Sequence, residues 1–397
     1  MPPWLVHLEQ ADAVTMNRTG TFQEEVSPRM TSTMKPARQR SIKASQHSMK
    51  TALRVAKATS GDFLSGTFGK SALWLTVAIV GAIFVAGNAR NVRAEEPQAE
   101  TSDEGHKTLK VISYNVQFLP GIAAVANKRR EPAYRAEQLA EKMARYDVVG
   151  LNETFDPRYR KIILDGLQKA WGEDYHVVVS PKVEDKPFNG GLLIASRLPF
   201  VDTHTMVYTQ SSSPEKYGLK ADGFAAKGVL HARIAPSEDA KDDYFDVFVT
   251  HMEARDDEVR ETQYEEIGAF VLKHSDPQHT ALMLGDFNTR GNLEYQRDKD
   301  SAYHRLLKAL SAGRPRSEIQ DLWIQLKGEA NGGTTEQESS EIGRRIDYVF
   351  VSPPEGKAHR LKPVDIRVNG FLDERVGALS DHSAVEADFQ WPLTPGP

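Results

Sequence analysis

Residues 109–389 read as an α/β fold of two mixed sheets packed on one another, with helices outside them. Apolar runs of strand length outnumber helical stripes, and several of the connections between them are short. No internal repeat is visible, which sets aside solenoids and propellers. About 300 residues of ordinary globular composition are enough for one sizeable core.

The first strand is Leu109-Lys-Val-Ile-Ser-Tyr-Asn115-Val, apolar enough to be central, and it ends on Asn115. Residues 132–145 carry Tyr134, Leu139 and Met143 at roughly helical spacing. Asp147-Val-Val-Gly-Leu-Asn-Glu153 is a second buried strand that delivers Glu153. A carboxylate directly after an apolar run needs solvent or a cation beside it. A helix follows over 157–170 on Ile162, Ile163 and Leu167. Strands are then expected at 175–179, 190–195 and 201–208, the last partly exposed.

A strand-like run, Lys227 to Ile234, opens on Lys227-Gly228, where the glycine allows close approach of another backbone. Tyr244 to His251 is a strong strand ending in Thr250-His251. The helix at about 258–273 turns Ile267, Phe270 and Val271 to one face. Leu282-Met-Leu-Gly-Asp286-Phe-Asn288 ends a further buried strand, and period-two spacing sets Asp286 and Asn288 on one side. Together they suit a hard cation or an attacking water. The same pair could simply close a turn on its own backbone. A short helix at 302–310 and a polar loop at 328–340 precede the strand 345–351, with Asp347 near its start. The last strand, 383–389, directly follows Ser380-Asp381-His382. Loops at one edge of a layered fold would bring these strand-end side chains together.

The residues before this region are of another kind. Residues 1–94 hold 12 Lys/Arg against 5 Asp/Glu, so a chain of net charge −5 keeps −12 on residues 95–397. Residues 1–70 are basic, rich in Ser and Thr, and expected to be disordered, with Met30, Met34 and Met49 as alternative starts. Residues 71–88 are uncharged, Lys70 precedes them, and Val92-Arg-Ala94 has the small and apolar residues of a cleavage site before Glu95. Residues 71–94 therefore read as a secretory signal peptide. An uncleaved membrane anchor is the rival, since the run approaches the ~20 residues that cross a bilayer. Residues 95–107 form a charged linker and 108–392 the catalytic domain. The expected location is secreted or periplasmic, or membrane-anchored through 71–88. The chain has no cysteine, so an exported domain would be held by its core and by metal rather than by disulfides.

In order, Ser113-Tyr-Asn115-Val, Leu151-Asn-Glu153, Thr250-His251, Gly285-Asp286-Phe-Asn288, Arg345-Ile-Asp347-Tyr-Val and Ser380-Asp381-His382 resemble the motifs of the endonuclease/exonuclease/phosphatase superfamily. The resemblance implies a four-layered sandwich of two mixed sheets flanked by helices (the deoxyribonuclease-like fold) and phosphoester hydrolysis dependent on Mg²⁺, with Mn²⁺ or another divalent cation as substitutes. It implies Glu153, Asn115 and Asp381 at or beside the metal, and Asp286 and Asn288 positioning water and phosphate. Asp347 would orient His382, with His251 facing it across the scissile phosphate. Two histidines, one paired to a carboxylate, can divide the base and acid roles. The expected base is His382 and the acid His251, with Asp286 as the rival base. Lys227 is expected to bind the anionic substrate or leaving group.

Longer local matches resemble bacterial secreted neutral sphingomyelinases and related phospholipase-C-type enzymes. They are Asn152-Glu-Thr-Phe-Asp156, Asp222-Gly-Phe-Ala-Ala-Lys227-Gly and Thr250-His-Met-Glu with the helix after it. Glu253 stands where those enzymes commonly have Gln, and the loop 328–340 carries no aromatic tip suited to a bilayer. The expected substrate is a phosphodiester, with a phospholipid headgroup favoured. An exported nuclease or a small phosphoester hydrolase is the alternative, and a catalytically dead tethered module a third. The acidic balance gives no basic footprint for nucleic acid, and no partner protein can be inferred.

Overall fold

The computed structural model describes residues 106–120, 129–172, 175–218, 221–335, 343–356 and 360–392. The expectations for 1–70 and 71–94, and most of the linker 95–107, lie outside these residues. Among those described, no helix is long and apolar enough to cross a membrane.

The chain opens with β1 (His106–Phe118), α1 (Pro132–Met143), β2 (Val148–Thr154) and α2 (Pro157–Trp171). Next come β3 (His176–Val179), β4 (Leu193–Ser196), β5 (Phe200–Val207), the short α3 (Pro214–Tyr217) and β6 (Gly228–Ile234). The middle holds β7 (Phe245–His251), α4 (Asp257–His274), β8 (Ala281–Asp286), α5 (Leu293–Arg297) and α6 (Ala302–Gly313). After β9 (Gln320–Asp321) and α7 (Leu322–Lys327) come β10 (Asp347–Ser352) and β11 (Lys362–Asn369). A small hairpin, β12 (Leu372–Asp373) with β13 (Gly377–Ala378), and β14 (Ala384–Pro392) complete the chain.

These strands build two mixed six-stranded sheets, in the orders β11-β14-β1-β2-β4-β3 and β5-β6-β7-β8-β10-β9. In each sheet one central pair is parallel, β1 with β2 and β7 with β8, and the other pairs are antiparallel. Period-two alternation divides the side chains between layers. Leu109 and Val111 of β1 join Leu282 and Leu284 of β8 in the core between the sheets. Their neighbours turn outward, Ile112 and Tyr114 under α1 and α2, and Met283 under α4 and α6. The order helix, sheet, sheet, helix is therefore the predicted sandwich.

The helix pairs pack through small residues. A Cβ on Gly166 would stand 2.5 Å from that of Ala140, and one on Gly268 2.4 Å from the Ala309 carbonyl. Strand β11 was not anticipated. Its sequence, Lys362-Pro-Val-Asp-Ile-Arg-Val-Asn, puts proline and charge on an edge strand, where an outward face stays wet and a missing N–H is tolerated.

Arg345 fixes the approach to β10. Its Nη1 donates to both oxygens of Asp321 (2.8 and 3.1 Å) and its Nε to the Gly291 carbonyl (2.9 Å). The guanidinium lies 4.7 Å from the Tyr348 ring centroid. Asp321 in turn accepts from Tyr303 Oη (2.8 Å) and caps α7. Replacing Arg345 with Met should cost about 3–5 kcal/mol, because a buried carboxylate loses its partner. Equilibrium urea unfolding measures this, and a loss below about 1 kcal/mol would put the pair among the weak surface-type bridges.

Candidate active site

One edge of the sandwich collects the ends of the parallel strands. Strand β7 pairs with β8 so that His251 stands opposite Asp286, and β10 pairs with β8 so that Asp347 stands opposite Asp286. His251, Asp286 and Asp347 therefore occupy one rung of the second sheet. In the first sheet Asn115 stands opposite Asn152, just before Glu153. Asn152 Nδ2 donates across the sandwich to the Thr250 carbonyl (2.7 Å), tying the two edges together. Gly285 makes the rung possible, since at φ 127° an added Cβ would lie 2.0 Å from the Thr250 carbonyl oxygen.

Asn115 is fully buried, and its Nδ2 donates to both Glu153 Oε1 (3.1 Å) and Asp286 Oδ2 (3.1 Å). That amide joins the carboxylates of the two sheets. Gln117, Glu153 and Asn288 all have left-handed backbones, at φ 52°, 60° and 49°. Strain of about 1–3 kcal/mol per such residue is characteristic of functional sites. Burial, with Asp381 nearby, pushes the Glu153 carboxyl up to about 7. Asp381 is held by Gln117, whose Nε2 donates to its Oδ2 (2.5 Å), while Gln117 Oε1 accepts from Arg129 (2.7 Å).

Asp286 Oδ2 lies 3.6 Å from His251 Nε2 and 3.8 Å from His382 Nε2, so the two histidines converge on one carboxylate oxygen. His382 Nδ1 is 2.8 Å from Asp347 Oδ2, and because a carboxylate can only accept, that nitrogen carries a proton. Burial opposes a charged His382 ring, but Asp347, Asp286 and Asp381 outweigh it and push its pKa up to about 10. His251 is the opposite case. Lys227 Nζ stands 3.0 Å from its Nε2, and an ammonium can only donate, so Nε2 is a bare lone pair. Burial first, and then Lys227, hold His251 down to about 3. Its Nδ1 is buried and has no hydrogen-bond partner.

Lys227 is buried rather than solvated at the surface. Its three N–H bonds are spent inside the protein, on Asp222 (2.7 Å), the Met252 carbonyl (2.8 Å) and His251. None is aimed at an open position, so its placement fits tuning of His251 better than the expected direct contact with substrate. Asp222 is held down to about 2, where Lys227 and His251 overcome its burial. Substituting Met for Lys227 should raise the titration of the His251 ring toward the ordinary range. A histidine NMR pH titration reads this, and an unmoved His251 would leave burial as the sole cause. Gly228 has the role expected of it, since a Cβ there would lie 1.9 Å from the Met206 carbonyl oxygen.

Asp286 and Asn288 also form the turn that was their alternative reading, with Asn288 N donating to Asp286 Oδ1 (2.9 Å). Asn288 Nδ2 donates to the Met252 carbonyl (2.9 Å), joining the loop after β7 to the loop after β8. All nine expected residues, Asn115, Glu153, Lys227, His251, Asp286, Asn288, Asp347, Asp381 and His382, belong to this one connected edge. Among the described residues, one ligand atom each from Asp286, Asp347 and His382 lies within 4.8 Å of the others, close enough to hold a metal ion.

Supports absent from the sequence expectation surround them. Arg135 of α1 reaches the carbonyls of Val116 and Leu379 (2.7 Å each), fixing β1 against the approach to Asp381. Thr334 Oγ1 accepts from the backbone N–H of Ile346 and of Asp347 (3.2 Å each). Gln117 alone left a trace in the sequence, standing two residues beyond Asn115. Glu253 is buried and organises the loop beside Lys227, accepting from the N–H groups of Ser212 and Arg255 (2.8 Å each).

A family model described as Endonuclease/Exonuclease/phosphatase family matches residues 112–382. Sphingomyelinase C of Bacillus cereus is 25% identical over 239 residues, covering 55% of this chain and 68% of that protein. Sphingomyelinase C 2 of Leptospira interrogans is 26% identical over 276 residues, covering 64% of this chain but only 40% of its own length. A solved beta toxin variant from Staphylococcus aureus with bound magnesium ions superposes with a TM-score of 0.52 at 18% identity, covering 72% of this chain and all of that one (100%). At that identity the likeness speaks for the fold.

Proposed function

The chain belongs to the endonuclease/exonuclease/phosphatase family, and from that premise we propose that it is an exported phosphodiesterase that uses a divalent cation to release a phospholipid headgroup. The observation that carries this reading is the convergence of His251 and His382 on Asp286 Oδ2, facing a partly buried Glu153 that Asn115 links to the same oxygen. A phosphodiester needs its equatorial charge neutralised, a water placed in line and a proton for the leaving oxygen. Two differently charged histidines and an acceptor carboxylate supply the proton-handling parts.

The donor set fits a hard cation. Glu153 is partly buried near Asp381 with Asn115 as its hydrogen-bond partner, and oxygen ligands of this kind suit Mg²⁺ or Mn²⁺. Glu153 would hold the ion, with Asn115 and Asp381 alongside, and the bound ion would supply charge neutralisation at the phosphate. His382, kept protonated by Asp347, is suited to give a proton to the leaving oxygen. Asp286 is suited to orient and deprotonate water, with the neutral His251, whose Nε2 already accepts from Lys227, held beside it. The charge states thus favour His382 as the acid rather than the base expected from the sequence, with Asp286, the rival base, in its place.

The lipid substrate is supported by the named sphingomyelinase relatives and by the −12 balance of residues 95–397, which lacks a cationic footprint for nucleic acid. Full-length protein with MgCl₂ should release phosphocholine from sphingomyelin vesicles. Parallel assays on phosphatidylcholine vesicles, duplex DNA and a nitrophenyl diester discriminate the readings. Cleavage of DNA alone would replace the lipid reading with the nuclease one. Export is supported by the uncharged run 71–88 followed by Val92-Arg-Ala94. N-terminal sequencing of secreted product should begin at Glu95, and a retained upstream segment would favour anchoring.

A further inference from the structure

Three histidines lie together outside the catalytic edge. His204 of β5 pairs directly across the ladder with His231 of β6, and the His274 ring at the end of α4 packs 3.9 Å from that of His204. His231 also stacks on Phe248, a member of the helix-side core, which places the group on the outer face of the second sheet. His204 Nδ1 and His231 Nδ1 are 3.3 Å apart. Two nitrogens bound tetrahedrally to one ion at 2.0–2.1 Å would stand about 3.3–3.4 Å apart.

The tautomers fit the same use. His231 Nε2 is 2.8 Å from Asp246 Oδ1, an acceptor, so the ring proton sits on Nε2 and Nδ1 presents a lone pair to His204. A carboxylate behind a histidine is the arrangement that orients metal-binding imidazoles. His204 is 37% exposed, so it can carry its own proton on Nε2 and free Nδ1 without net proton loss. Asp202 Oδ2 stands 3.6 Å from His204 Nδ1 on a half-exposed side chain that can turn inward. The opposing charge is Arg233, already engaged by Asp246 (3.0 Å) and the His274 carbonyl (3.1 Å). Lys273 stands next in chain to His274, and both it and Leu272 face solvent.

We propose that His204 and His231, with Asp202 at the rim, form a binding site for a borderline-soft divalent ion of the Zn²⁺ class, separate from the catalytic centre. Imidazole ligands select Zn²⁺, Co²⁺, Ni²⁺ or Cu²⁺ over Mg²⁺, so excess MgCl₂ leaves the site open. An ion there would staple the edge strand β5 to β6.

The test is titration of chelator-stripped full-length protein with CoCl₂ in excess MgCl₂, read by visible absorption and by equilibrium dialysis. One equivalent should bind with the strong bands of tetrahedral nitrogen ligation. His204→Ala should weaken it at least ~10-fold, the factor that even an outer partner is worth at such sites. His204→Asn should behave alike, and because this side chain is partly exposed both variants should keep the wild-type circular dichroism. His382→Ala should retain the equivalent, and ZnCl₂ should raise Tm in the wild type but not in His204→Ala. Absence of any Mg²⁺-resistant equivalent overturns the proposal. So does unchanged Co²⁺ binding in His204→Ala, or loss in His382→Ala alone, which places the ion in the catalytic centre.

Discussion

Glu153→Gln should reduce divalent-ion-dependent turnover by ~10²–10³-fold or more, the range for removing a group that acts on developing charge. Glutamine keeps the shape and the bond to Asn115 but loses the charge that would hold the cation. The accompanying stability change gives this prediction a second readout. Glu153 titrates near 7 when folded, above its ordinary 4.5. A raised carboxyl pKa means the folded state binds a proton more tightly than the unfolded one. Stability is therefore favoured below the unfolded value and lost as pH rises through about 7. Without divalent ion, Glu153→Gln should be more stable than the wild type at pH 8, and the two should converge toward pH 4. Excess MgCl₂ should reverse the order at pH 8, by stabilising only the protein that binds it. Thermal melts at both pH values read this directly. Near-normal turnover in Glu153→Gln, or melts insensitive to Mg²⁺, would remove Glu153 from the cation site.

The layers and the active edge were legible because both rest on local pattern. Apolar runs along 109–116 and 282–286 marked central, buried strands, although not which of their side chains face the core between the sheets. Glu153, His251 and Asp286 stood out because ionisable side chains directly follow apolar strands. What could not be read was partnership. Whether a histidine is charged depends on what lies within a few ångströms. His382 finds Asp347, 35 positions away, and His251 finds Lys227, 24 positions away. Nothing in Thr250-His251 or Asp381-His382 distinguishes an ammonium neighbour from a carboxylate. Lys227 could likewise be placed beside a glycine and a strand, but not buried with all three donors committed. Strand β11 escaped for a different reason, since an edge strand half open to water lacks the apolar signature of a central one.

The division of labour between the histidines can be decided by the leaving group. His382 Nδ1 is bonded to Asp347, and its Nε2 faces Asp286 Oδ2 at 3.8 Å, so this ring is surrounded by negative charge and stays protonated through neutral pH. His251 accepts from Lys227 and stays neutral. A proton donor is needed only when the leaving oxygen is a poor leaving group. On a natural diester, removing either histidine should lower kcat by ~10²–10⁴-fold, the usual range for general acid–base groups. On a nitrophenyl diester, whose leaving group departs without protonation, His382→Ala should recover most of the loss and His251→Ala should not. Asp347→Asn should follow His382→Ala in this pattern, more weakly, because it withdraws the charge that keeps the ring protonated. It should also bring the His382 titration down from about 10 toward the ordinary range, visible by NMR. Rescue of His251→Ala with none for His382→Ala would restore His382 as the base. Equal rescue of neither would remove His382 from the acid role and leave Asp286, the one carboxylate that both rings face, as the only proton-handling group of the three.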